Sequence, residues 1–208
     1  MSHDMNNRAR TTASSVDRAP RTFPALVSLL VLLAAGPLAA CGTTESTASP
    51  APDYEATVAK APPKLAELYS DGDALLGGGG DTYAGKIDAV RGYPVVVNNW
   101  ASWCLECREE FPYFQSQAAQ HLDQVAFLGV DSEDSTDAAE TYLSDNPLPY
   151  PSVEAPGKDF QDWTDTTLVG YPNTLFYDAG GELVYVKQGV YASEDDLAAD
   201  IAKYALTS

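Results

Sequence analysis

The sequence predicts an α/β fold in which a central mixed β-sheet is flanked by helices and preceded by a helical extension. Three observations carry that expectation. A β-branched run, Val95-Val96-Val97, opens a stretch in which strand and helix patterns alternate, as they do where parallel strands are joined by helical crossovers. Asp178-Ala179-Gly180-Gly181 then separates two short strand-like runs, Thr174 to Tyr177 and Leu183 to Lys187, as a hairpin turn does. A helical segment from Glu194 to Tyr204 closes the chain. Crossovers followed by a hairpin and a last helix give a mixed sheet covered on both faces.

Element by element, Leu65, Leu68, Tyr69, Leu75 and Leu76 fall at roughly helical spacing from Lys64 until the glycines 77 to 80. Tyr83, Ile87 and Val90 suggest a second short helix, ended by Gly92 and Pro94. Val95 to Trp100 reads as a buried central strand. A helix is expected from about Leu105 to His121, a strand over 125–130, a helix over 136–143, a weak extended piece over 150–153 and a turn or two of helix over 158–163. Pro112 lies inside the first of these helices, where it removes one backbone hydrogen bond.

The 208 residues hold one ordinary domain plus extra segments, and their formal net charge of -18 leaves no basic surface for nucleic acid. Arg8, Arg10, Arg18 and Arg21 precede an uncharged, Leu- and Val-rich stretch from Phe23 to Ala40, the anatomy of a signal peptide. A permanent transmembrane helix is the rival reading, but Pro24, Gly36 and Pro37 interrupt a run already short for spanning. The ending Leu38-Ala39-Ala40-Cys41-Gly42 resembles a bacterial lipoprotein processing box, which implies lipidation at Cys41. The expected organisation is a lipoprotein signal peptide over 1–40, a lipidated cysteine with a flexible Thr/Ser/Ala/Pro tether over 41–63, and the folded domain over 64–208. The implied location is the outer face of a bacterial cell membrane, reached through the lipid.

Two of the three cysteines, Cys104 and Cys107, then remain, spaced C-x-x-C. A structural zinc site needs four Cys or His ligands, and outside the leader only His121 could join them, so no metal is expected. A purely structural bridge across so small a loop removes little chain entropy. The pair follows a strand and opens a helix, which is where a redox-active disulfide sits: unpaired helix N–H groups and the positive end of the dipole stabilise a thiolate at the first cysteine. Cys104 is expected to be the exposed nucleophile and Cys107 the buried resolving thiol, so no cofactor is required beyond the disulfide itself. Trp103 either offers an apolar contact to a bound partner or is a core aromatic.

The run Val96-Val97-Asn98-Asn99-Trp100-Ala101-Ser102-Trp103-Cys104-Leu105-Glu106-Cys107-Arg108-Glu109-Glu110-Phe111-Pro112 resembles the active-site segment of TlpA/ResA-type membrane-anchored thioredoxin-like proteins. Gly170-Tyr171-Pro172-Asn173-Thr174-Leu175-Phe176-Tyr177-Asp178 is similar to the family's cis-proline loop. The resemblance implies a thioredoxin fold over about 94–204, while the two helices before Pro94 depart from the β-hairpin common there. It implies that Pro172 is cis, faces the disulfide and offers backbone groups to a bound peptide, with Tyr171 tuning what binds; without it the bond would be taken as trans. Cytosolic thioredoxins carry an Asp where this chain has Asn98, which takes no proton. Glu110 matches the acidic residue that ResA-like proteins use and stands i, i+3 from Cys107, so it is the expected proton acceptor; the bland alternative is a solvated carboxylate like Glu109.

Other signals carry less. The acidic stretch 131–137 lacks the central Gly and terminal Glu of a calcium loop and reads as a strand end and helix cap. His121 reads as a solvated residue at a helix C-terminus. A peroxidatic P-x-x-x-T-x-x-C pattern is missing ahead of Cys104. The sequence therefore predicts an extracytoplasmic thiol:disulfide oxidoreductase acting on cysteine-containing protein clients and fed by a membrane thiol partner. It leans to a reductase of the kind the family uses in cytochrome c maturation. A disulfide-forming oxidase and a non-catalytic binding lipoprotein are the alternatives.

Overall fold

The computed structural model describes residues 54–207. The expected signal peptide, the Cys41 lipidation site and most of the expected tether lie outside the described residues. Seven helices and six strands follow one another in the described chain. They are α1 (Tyr54–Val58), α2 (Pro63–Tyr69), β1 (Leu75–Leu76), α3 (Gly79–Ala89), β2 (Val95–Trp100), α4 (Leu105–His121), β3 (Ala126–Ser132), α5 (Thr136–Asp145), β4 (Ser152–Ala155), α6 (Asp159–Thr164), β5 (Asn173–Tyr177), β6 (Leu183–Gln188) and α7 (Glu194–Tyr204). The strands form one sheet in the order β1-β4-β3-β2-β5-β6. β1, β3 and β4 run parallel to β2, and β5 and β6 run antiparallel to their neighbours, so the sheet is mixed as expected.

All six residues of β2 are buried, because the strand lies at the centre of the sheet with helices on both faces. On one face Trp100 of β2 meets Phe111 of α4 and Tyr142 of α5, and Phe176 of β5 meets Tyr204 of α7. On the other, the Tyr177 hydroxyl of β5 contacts that of Tyr83 in α3, and Tyr83 packs edge-on against Phe160 of α6. Trp100 donates its indole N–H to Ser152 Oγ at 3.1 Å. Gly129 leaves the room for that bond, since a Cβ there would sit 2.1 Å from Ser152 Oγ and 3.2 Å from Trp100 Nε1.

Three N-terminal expectations differ from the structure. Leu75 and Leu76 do not continue a helix; they form an edge strand paired with Ser152 and Val153 of β4. The glycine run does not stop a helix but starts one: Gly78, at φ 94°, is the N-cap of α3. A five-residue helix, α1, occupies part of the segment read as tether. His121, the last residue of α4, is half-buried with no partner for Nδ1, and burial lowers its pKa, so it is not the solvated residue expected.

Candidate active site

The site lies where β2 ends and α4 begins, at the C-terminal edge of the parallel strands. Cys104 is the N-cap of α4, in extended conformation, and its sulfur accepts the Cys107 N–H at 3.1 Å. A sulfur at this position faces the unpaired N–H groups of the first helical turn, which favour negative charge there. The two cysteines are joined as a disulfide. Cys104 is 3% exposed and Cys107 1%, so the expectation of an exposed nucleophile needs correction: in the disulfide state the first sulfur is nearly as covered as the second.

Trp103 is 56% exposed, which rules out the core-aromatic reading. Its indole N–H donates to the Glu133 carbonyl at 3.0 Å, and its ring stands edge-on to Tyr171, centroids 5.5 Å apart. Leu105 and Val169 are also large, apolar and exposed. In sequence, Trp103 and Leu105 flank Cys104, and Val169 stands three residues before Pro172.

The Tyr171–Pro172 peptide bond is cis. Gly170, at φ 67°, turns the chain into this loop, and Asn173 Nδ2 closes it by donating to the Gly170 carbonyl at 2.8 Å. The Pro172 carbonyl already accepts the Gly189 N–H at 2.9 Å, and proline has no N–H. Of the backbone groups expected of Pro172, only the second lone pair of its carbonyl is left for a peptide. The peptide groups left open in this loop are those of Tyr171, since its N–H and C=O make no backbone hydrogen bond among the described residues.

Glu110 is fully buried and is no solvated carboxylate. Oε2 accepts the Tyr191 N–H at 3.0 Å, while Oε1 receives no donor. Burial pushes its pKa up to about 7, against the lowering effect of the Tyr191 N–H and of Lys187. The group sits one turn beyond Cys107 on the same helix, and both are buried on the side that faces the sheet. The Asn98 side chain and the Tyr150 hydroxyl are close by; neither makes a hydrogen bond of ordinary geometry, and Glu110 helps to raise the Tyr150 pKa. A carboxyl group that titrates near neutrality beside a buried thiol can hold and release that thiol's proton.

Sequence reasoning missed the loop after β3. Asp134 Oδ2 accepts the Ser102 N–H at 2.6 Å, two residues before Cys104, and the Glu133 carbonyl holds Trp103. Asp131 is 3% exposed, and burial first, then Asp134 and Glu154, push its pKa up to about 8. The expected strand end and helix cap are there, with Ser135 Oγ accepting the Ala138 N–H. What the linear stretch conceals is contact with the segment before the cysteine. The findable signal was position: the loop follows a strand parallel to β2, at the same edge of the sheet.

Comparison with known proteins agrees with this geometry. Residues 50–186 match the AhpC/TSA family. The chain is 33% identical over 92 residues to the thiol:disulfide interchange protein DsbE of Pseudomonas fluorescens biotype C, covering 44% of this chain and 49% of the relative. It is 33% identical over 91 residues to the thiol:disulfide interchange protein HelX of Rhodobacter capsulatus, covering 43% and 48%. The match thus spans about half the length of these relatives. A solved thioredoxin-family thiol:disulfide interchange protein from Chlorobium tepidum superposes with a TM-score of 0.50 at 22% identity, over 56% of this chain and 83% of that one, which establishes the thioredoxin fold.

Proposed function

Because the chain belongs to the AhpC/TSA family, we propose that it is an extracytoplasmic thiol:disulfide oxidoreductase of the TlpA/ResA type, acting on protein clients as a reductase. The observation that carries the proposal is Cys104 at the N-cap of α4, bonded to Cys107, with the buried carboxyl of Glu110 one turn further on. The thiol:disulfide interchange relatives support it.

In the reaction the Cys104 thiolate attacks a client disulfide, one client sulfur leaves as a thiolate, and a mixed disulfide forms. Glu110 takes the proton of the Cys107 thiol, and the Cys107 sulfur attacks Cys104. The second client sulfur leaves. Two electrons have passed from the protein dithiol to the client, and the protein disulfide is the product. A membrane thiol donor must then restore the dithiol. No metal or other cofactor enters any step. Trp103, Leu105 and Val169 supply apolar contact to the client, and the free backbone groups of Tyr171 pair with its chain.

Attachment to the outer face of a bacterial membrane through Cys41 and service in cytochrome c maturation belong to the same proposal. Among the described residues no helix is long and apolar enough to cross a membrane.

Trapping tests the mechanism. Cys107→Ala leaves Cys104 with no resolving partner, so cells making the full-length variant should accumulate Cys104 linked to client proteins, released by dithiothreitol. If no releasable species forms, and the purified wild-type chain does not speed insulin reduction by dithiothreitol, the reading fails and the fold serves only for binding.

A further inference from the structure

The loop after β3 also forms one wall of a cavity of about 410 Å³ that the exchange mechanism does not use. Asp131, Asp134, Glu154 and Asp159 line it, together with glycines 78 to 80 and Trp163. The register of the sheet creates the cluster: Asp131 of β3 stands directly opposite Glu154 of β4, and α6 begins four residues after β4 ends. The glycines let the backbone close on the indole, since a Cβ on Gly80 would lie 3.0 Å from Trp163 Nε1. Through Asp134, which holds the Ser102 N–H, this cavity borders the segment that carries Cys104.

Two further observations favour a ligand of positive charge. Asp131 is only 3% exposed and lines the cavity, yet its Oδ1 receives no hydrogen bond. Among the described residues no Lys, Arg or His lines the cavity either; the ion pairs Lys86–Asp71 and Arg91–Asp88 involve none of its lining residues, and Lys158 lines the neighbouring cavity. Carboxyl groups gathered in a partly buried space repel one another once ionised, so Asp131 keeps its proton to about pH 8, and a cation in the cavity would relieve that repulsion and let it ionise. The carboxylates surround the space without converging, since among the described residues no group of three or more His, Cys, Asp or Glu could hold a metal ion. A long organic cation with several donors suits that spread better than a compact ion. An aromatic wall adds attraction for the same kind of group.

We infer that this cavity receives the side chain of a lysine or arginine of the client polypeptide, and so selects clients that carry a basic residue near the cysteine to be reduced. The inference rests on the exchange reading above. The Cys104 loop is the shared boundary: a client held at its sulfur by Cys104 and at its chain by Tyr171 reaches over Ser102 into the cavity. Charge in the cavity then orients the sulfur before attack.

Peptides in which a single cysteine is capped as a mixed disulfide provide the test, with arginine placed at each position from about four before to four after the cysteine. Citrulline, the neutral isostere, replaces arginine in a matched set. The full-length reduced protein should react about tenfold faster with arginine than with citrulline at one register, the scale of a partly buried charge pair. That preference should vanish in Asp131→Asn and in the paired variant Glu154→Gln with Asp159→Asn, the latter at half-buried and exposed positions that tolerate change if the former does not fold. A charge-matched control at remote sites, Glu182→Gln with Asp195→Asn, should keep it. Exchange that proceeds equally with arginine and citrulline at every register overturns the inference and leaves the oxidoreductase reading intact. A preference lost equally in the control shows only the field of an acidic protein and also overturns it. Failure to react with any peptide overturns both readings.

Discussion

Replacing Glu110 with glutamine should remove a proton from the protein's pH balance, and the size of the effect follows from burial. The fold raises the pKa of this carboxyl from 4.5 to about 7, burial being the largest cause. Between those values the unfolded chain has lost the proton while the native protein keeps it, so unfolding releases a proton and stability falls as pH rises. The contribution is fully present below pH 4.5 and is lost as pH passes about 7. At about 1.36 kcal/mol per pH unit, the loss amounts to about 3 kcal/mol. The amide of the variant carries no such proton. The unfolding free energy of wild type minus that of Glu110→Gln should therefore drop by about 3 kcal/mol from about pH 4.5 to about pH 8, whatever constant cost the amide adds. Urea unfolding of the oxidised proteins at half-unit pH intervals measures the difference, and other carboxyls such as Asp131 cancel from it. Resolution of a mixed disulfide should also slow by about a hundredfold, since the amide takes no proton. Parallel stability profiles would refute the buried ionisation, and an unchanged resolution rate with an unchanged pH profile would refute the role in proton transfer.

Gly129→Ala should destabilise the domain by about 2 kcal/mol, because the new methyl group displaces Ser152 Oγ and breaks its bond to Trp100. Adding Ser152→Gly should return part of that loss, and a single substitution that leaves the denaturation midpoint unchanged would contradict the packing described. Cys41→Ala should shift the protein from the membrane fraction to the soluble extracytoplasmic fraction while the purified protein keeps its exchange rate. Unchanged membrane partitioning would refute the lipid anchor.

The parts of the fold that were legible in the sequence are those fixed by local pattern over many residues. The helix from Leu105 to His121 and the one from Glu194 to Tyr204 were read with the observed ends, because Cys104 and Ser193 precede long periodic runs and cap them. The buried run 95–100 was legible because β-branched residues without alternation suit a central strand. Leu75 and Leu76 were not, since a strand of two residues has no period of its own and exists through its pairing with Ser152 and Val153. Nor was the start of α3: glycine opposes helix formation locally, and Gly79 and Gly80 are there because Trp163, far along the chain, needs the room.

The candidate site divides along the same line. Cys104, Cys107 and Glu110 share one helix, so their spacing alone placed them together. The cis-proline loop came from resemblance, and only the structure moved its free peptide groups from Pro172 to Tyr171. The acidic cavity was invisible because Asp131, Glu154 and Asp159 belong to three elements that meet through the β3–β4 register.

That cavity bears on the direction of the reaction. At the N-cap the helix stabilises a Cys104 thiolate, which by itself favours the reduced form and an oxidising protein. Against this stand Asp134 on the Ser102 N–H, Asp131 behind it and Glu110 one turn beyond Cys107. Asp134 places a carboxylate two residues from Cys104 and Glu110 adds negative charge above about pH 7, while Asp131 adds it only above about pH 8. Glu106 between the cysteines adds to it, and neither of the two residues between them is basic. Like charge raises a thiol's pKa, and a less stabilised thiolate makes the dithiol the better electron donor. On the reading proposed above, the carboxylates that would attract a basic client also bias the cysteines toward giving electrons, so that client choice and reaction direction would share one electrostatic cause.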